Sequence, residues 1–182
     1  MARTTSYLML ISCLMCLSQG QEFILPHGSP LNPSRFPGQE EQPQQPSPKN
    51  RCPEGTNAYG SYCYFFYQHP ETWVDADLFC QNMHSGNLVS VINQAEGDFV
   101  ASLIKESGTN DLKVWIGLHD PNKNRRWRWS SGSLFSYRSW VVGYPRTTNP
   151  GYCVILSSDS GYKKWKDESC EIKLSFVCKF KN

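Results

Sequence analysis

Six cysteines, Cys52, Cys63, Cys80, Cys153, Cys170 and Cys178, punctuate residues 52–178 and constrain the fold more than any other feature of the chain. An even set of cysteines in an exported chain reads as a disulfide framework, in which covalent bridges add stability that a small core cannot supply alone. Spacing by itself leaves the pairing open. No Cys-x-x-Cys occurs and the intervals do not suit zinc, so metal ligation is not the expected use.

Export is read from the first residues. Arg3 precedes a mostly apolar run, Tyr7 to Leu17, which also holds Cys13 and Cys16, and small residues come after it at Ser18 and Gly20. The run is too short to cross a bilayer comfortably, and the pattern is that of a signal peptide over residues 1–20, cut after Gly20. The mature protein is therefore expected to be secreted and extracellular, without membrane insertion. The cut exposes Gln21, which is expected to cyclise to pyroglutamate.

Residues 21–51 differ in composition from the rest of the mature chain. They carry Pro26, Pro30, Pro33, Pro37, Pro43, Pro46 and Pro48, much Gln and Ser, and neither Cys nor Trp. Such a segment buries too little surface to fold and is expected to be an extended (pro)segment. Lys49 and Arg51, with Arg35 further back, offer sites to a trypsin-like protease. A disulfide at Cys52 would hinder cutting at Arg51 and favour Lys49. The folded domain is expected over residues 52–182.

Within it, Cys52 to Cys63, with Gly55 and Gly60, reads as a hairpin that continues into a strand at Tyr62–Phe66. Thr72 and Asp75 form a capping-box-like pair opening a helix whose buried face is Trp73, Ala76 and Cys80. Asp75 and Asp77 stand two apart, do not share a helix face, and read as solvated or capping groups. Asn93 and Glu96 open a second helix with the stripe Phe99, Val100, Leu103 and Ile104, ended by Ser107-Gly108. Val114–Leu118 reads as a buried strand, and Trp127 and Trp129 alternate with Arg126 and Arg128 as on a strand with one buried face. Residues 133–152 are loop-like, and last strands are expected near 152–156 and 175–180. The expected class is α+β, with two helices, short antiparallel strands, a long loop region and three disulfides.

Trp115-Ile116-Gly117-Leu118, the Trp127-x-Trp129 pair, and the ending Trp165-Lys166-Asp167…Cys170…Phe176-Val177-Cys178 together resemble the C-type-lectin-like domain. Within that superfamily the chain resembles the regenerating-protein (Reg) family, in its lithostathine branch. Cys52 to Tyr59, Trp73 to Asp77, Ser85 to Val91 and Gly117-Leu118-His119-Asp120-Pro121 carry that likeness. The resemblance implies the pairs Cys52–Cys63, Cys80–Cys178 and Cys153–Cys170. It also implies a binding protein of pancreatic or digestive secretion, not an enzyme, that requires no cofactor.

Sugar-binding members of the superfamily hold calcium through Glu-Pro-Asn or Gln-Pro-Asp in the long loop and Trp-Asn-Asp on a late strand. Calcium takes roughly six to eight oxygen ligands. Between Trp140 and Cys153 this chain has no Asp or Glu. The loop tripeptide is replaced by Tyr144-Pro145-Arg146, and Trp-Asn-Asp has become Trp165-Lys166-Asp167. Two cations thus stand where ligand oxygens would, and ordinary calcium-dependent sugar binding is not expected. Bactericidal Reg relatives carry Glu-Pro-Asn before Trp-x-Trp. Here that stretch is Asn122-Lys123-Asn124-Arg125-Arg126, which weakens a peptidoglycan-binding reading.

Lys123, Arg125, Arg126 and Arg128 form a basic cluster suited to sulfate, carboxylate or phosphate, either on anionic glycans or on a receptor. A solvated loop face is the alternative. Lys163, Lys164 and Lys166 form a second group with the same ambiguity. The net charge of +2 implies no nucleic-acid partner. The motifs of serine hydrolases, zinc proteases and phosphate loops are missing, and His119-Asp120 is expected to shape a turn. The resemblance implies a trophic signal acting through a cell-surface receptor. Alternatives are a calcium carbonate crystal-growth inhibitor that self-associates into fibrils after tryptic trimming, and an antibacterial carbohydrate binder.

Overall fold

The computed structural model describes residues 52–182. The signal peptide over 1–20, Gln21, the segment 21–51 and the processing residues Arg35, Lys49 and Arg51 lie outside the described residues.

A hairpin of β1 (Asn57–Tyr59) and β2 (Tyr62–Glu71) opens the domain, and Gly60 takes φ 58° in its turn, where a Cβ would be strained. Helix α1 (Trp73–Gln81) comes next, capped by Thr72, whose Oγ1 accepts from the Asp75 N–H at 3.3 Å and donates to the Asp75 carboxylate at 2.7 Å. The short strand β3 (Asn87–Leu88) leads to α2 (Gln94–Glu106), where the Asn93 side chain accepts from the Glu96 N–H at 2.8 Å. Then come β4 (Lys113–His119), β5 (Arg128–Trp129), β6 (Cys153–Ser157), β7 (Trp165–Glu168) and β8 (Leu174–Phe180).

All eight strands belong to one sheet, ordered β1-β2-β8-β4-β6-β7, with β3 on β8 and β5 on β4. The last strand inserts at the centre, between β2 and β4. Its pairing with β4 is parallel, through Val114–Ser175 and Trp115–Phe176, so the sheet is mixed and not wholly antiparallel.

Alternation along the central strands divides the core in two. Val114, Ile116 and Leu118 of β4, Val154 and Leu156 of β6 and Val177 of β8 face one cluster with Val100 and Ile104 of α2. Trp115, Ile155, Phe176 and Cys178 face the other, with Trp73, Ala76 and Cys80 of α1. Each helix therefore covers one face of the sheet.

Cys52–Cys63 closes the first hairpin, Cys80–Cys178 ties α1 to β8, and Cys153–Cys170 joins β6 to the segment before β8. Their Cα–Cα distances of 5.4, 5.3 and 5.2 Å lie in the ordinary disulfide range.

Several sequence expectations need correction. Asp77 is buried: its carboxylate accepts from the Leu88 N–H, the Gln81 amide and the Ser130 hydroxyl, and so pins β3 and the end of β5 to α1. The strand at Tyr62 continues to Glu71, because the partner β8 pairs with it well beyond Phe66. The Trp-x-Trp stretch makes only the two-residue β5, since its ladder with β4 stops at Leu118–Trp129 and His119–Arg128. Strand β7, visible in the sequence only as the Trp165-Lys166-Asp167 motif, supplies the edge on which the long loop rests.

Candidate functional site: the long loop and its cations

The loop between β5 and β6 lies along β7. The Val141 N–H donates to the Trp165 carbonyl at 3.0 Å, and the Trp165 N–H donates to that of Ser139 at 2.8 Å. Aromatic packing holds the loop down: Trp165 meets Trp129, Tyr137 and Trp140 edge-on at 5.6–5.7 Å. From the sequence alone residues 133–152 look like a featureless loop. The cluster of aromatics at Phe135, Tyr137 and Trp140 is the signal that could have shown it to be packed.

Further along, after a cis Tyr144–Pro145 bond, Arg146 closes onto Asp167 of β7. The Arg146 N–H donates to Asp167 Oδ1 at 2.6 Å, and its Nε donates to Oδ2 at 3.2 Å. Its terminal nitrogen donates to the Asp167 carbonyl at 2.8 Å, while the Gly151 N–H donates to Oδ2 at 2.6 Å. Asp167 is 1% exposed, so this carboxylate is buried and its oxygens are taken by a guanidinium and two backbone N–H groups. Gly151 is required there, because a Cβ would overlap the Glu168 backbone.

Lys166, one residue earlier, pairs with Asp159, and that ammonium holds the Asp159 carboxyl below its ordinary range. The Tyr144 ring lies 5.8 Å from both the Arg146 and Lys166 charges. Tyr144, Arg146, Lys166 and Asp159 help to line a cavity of 390 Å³ with Lys113 and Glu168, which are themselves paired at 2.6 Å. Two candidate cations are thereby placed in ion pairs. Among the described residues no group of three or more His, Cys, Asp or Glu side chains is arranged to hold a metal ion.

The basic cluster is divided by the fold. The loop at 120–126 winds around the buried Asp120 carboxylate, which accepts from the Asn124 N–H at 3.2 Å and the Arg125 N–H at 2.7 Å. Lys123 and Arg125 take positive φ there, and Lys123 lies over the Tyr152 ring at 5.1 Å. The Arg125 guanidinium donates to the Pro145 and Arg146 carbonyls at 3.0 and 2.7 Å, tying this loop to the long one. Arg128 lies beside His119, whose ring stacks on Trp73 at 4.3 Å. Burial, then the Arg128 charge, lowers the His119 pKa from 6.5. Lys163 is paired with Asp98 at 2.7 Å.

Arg126 belongs with a residue that nothing in the sequence singles out, Arg138. Both line a cavity of 460 Å³ with Arg125, Trp127, Phe135 and Trp140. Among the described residues no acidic side chain lines it, and neither Arg126 nor Arg138 joins an ion pair. No histidine side chain among the described residues is hydrogen-bonded to a hydroxyl, thiol or carboxylate, as a nucleophile–base pair would be.

The model of the lectin C-type domain matches residues 69–180. The chain is 65% identical to human lithostathine-1-alpha over the full length of both, and 42% identical to human regenerating islet-derived protein 3-gamma over 96% of this chain and 93% of the relative. A crystal structure of human lithostathine superposes with a TM-score of 0.73 at 69% identity, covering 79% of this chain and all of that one. Matches of this identity and coverage, on a fold with three disulfides and a loop built around Asp167, place the chain in the lithostathine/Reg family of C-type-lectin-like binding proteins.

Proposed function

We propose that the chain is a secreted lectin-like protein that engages glycans at cell surfaces without calcium. The observation that carries this reading is the state of Asp167. In a calcium-dependent site this carboxylate would be a ligand, whereas here Arg146 and two backbone N–H groups use its oxygens. A cation entering would have to break these bonds and would meet the Arg146 and Lys166 charges. The test is a glycan array and a thermal melt, each run with calcium and with EDTA. Glycan binding and the melting temperature should be the same in both. A melting temperature raised by calcium, or glycans released by EDTA, would reject the reading.

A trophic role through a cell-surface receptor is favoured by the 42% identity to a relative named for islet regeneration. Glycan engagement would then concentrate the protein at its receptor. Added to islet or epithelial cultures, the purified protein should increase cell number in a saturable manner. A flat dose response would remove the trophic reading and leave the glycan reading standing.

A further inference from the structure

The 460 Å³ cavity beside the long loop combines an aromatic floor with a cationic rim. Its floor is aromatic: Trp127 and Trp140 are half-buried, with ring centroids 5.1 Å apart at 62°. Trp140 is backed by Trp165 at 5.7 Å, and the segment carrying it is hydrogen-bonded to β7, so the floor is held before any ligand arrives. Its rim is cationic. Arg125 is committed to two carbonyls, but among the described residues no carboxylate pairs with Arg126 or Arg138, and Arg138 rests over the Phe135 ring at 5.2 Å.

Arginine forks can take two oxygens of a planar carboxylate or of a tetrahedral sulfate, and aromatic faces accept the C–H face of a pyranose. The cavity falls within the roughly 300–1,000 Å³ of ordinary ligand pockets. We propose that it is the subsite for one acidic sugar residue, whose ring packs on Trp127 and Trp140 while its carboxylate or sulfate is held by Arg126 and Arg138. This rests on the glycan reading above and adds to it the location and the ligand class. A neutral sugar would leave the rim charges without a counter-ion. The net charge of +2 argues against a diffuse polyanion surface as the source of affinity.

The experiment uses the mature protein in EDTA with three probes: a heparin hexasaccharide, a hyaluronan hexasaccharide, which carries carboxylates without sulfates, and neutral maltohexaose. At least one acidic probe should bind, and maltohexaose should not. The comparison of heparin with hyaluronan assigns the anion as sulfate or carboxylate. Arg126→Gln/Arg138→Gln should weaken acidic binding by about tenfold or more. Lys173→Gln/Lys181→Gln removes the same charge from residues that do not line the cavity and should change it by less than about threefold. Trp127→Phe should reduce the change in tryptophan emission on binding. Wild-type binding that survives Arg126→Gln/Arg138→Gln overturns the cavity and leaves the glycan reading intact. Maltohexaose bound as tightly as the acidic probes overturns the ligand class. A wild-type protein that binds none of the three overturns the acidic-sugar subsite, while the glycan array decides the broader glycan reading.

Discussion

At the scale of single residues, the buried polar groups decide most. Glu96 sits 2% exposed and serves three partners: the Tyr64 hydroxyl and Lys179 ammonium at Oε1, both at 2.6 Å, and the Ile92 N–H at Oε2. Burial, then Glu96, raises the Tyr64 phenol well above its ordinary range, so it stays a donor. His119 makes the clearest pH prediction. Its folded pKa lies below the unfolded value of 6.5, so folding favours the neutral ring. The stability it contributes is fully present above pH 6.5 and is lost as pH falls through the lowered folded value. Melting temperature should therefore decline as pH falls from 6.5 towards that lowered value, and His119→Phe should flatten the decline. A mutant curve parallel to wild type would show that other groups cause it. Asp77 shows the limit of sequence reading at this scale. Its spacing from Asp75 correctly excludes a carboxylate pair, but nothing local announces a hydrogen bond to Ser130, 53 residues away.

At the scale of elements, caps and stripes are legible because their partners are close in sequence. Thr72 with Asp75, and Asn93 with Glu96, act across one helical turn. The short strand β3 is not, because it exists only through a partner far along the chain, β8. The candidate site is half legible for the same reason. Arg146 and Lys166 stand out as cations replacing ligands, but their ion pairs require the fold to bring the loop onto β7. Likewise Arg126 stands out in the sequence and Arg138 does not, since the cavity they share depends on where the long loop returns. Gly151 tests the loop–strand contact directly. Gly151→Ala should force the loop off β7 and disturb the Asp167 bonds, at a cost of about 1–3 kcal/mol by chemical denaturation. A stability change near zero would mean the loop moves freely there.

At the scale of the whole molecule, the two half-cores share one sheet, and the Cys80–Cys178 bridge joins α1 to the centre of that sheet across 98 residues. In the chain-entropy model, closing a loop of that length stabilises by about 4–5 kcal/mol. Cys153–Cys170 closes only 17 residues and should contribute about 3 kcal/mol in the same model. Removing the long bridge by Cys80→Ala/Cys178→Ala should therefore lower stability more than Cys153→Ala/Cys170→Ala, as measured by urea unfolding. The reverse order would show that native-state strain, not loop length, sets the difference. The family is legible at this scale because the cysteine and tryptophan pattern spans the whole domain.

The Arg146–Asp167 pair has a consequence for how such a protein could be controlled. A dissociable ion makes a loop's order a function of its surroundings: when the ion is scarce, the loop relaxes and cargo is released. A guanidinium fixed to the backbone cannot be diluted, chelated or exchanged. On the proposed reading, the loop keeps one shape in calcium-rich and calcium-poor fluids alike, and ligand release must come from competition or dilution instead of loss of the metal.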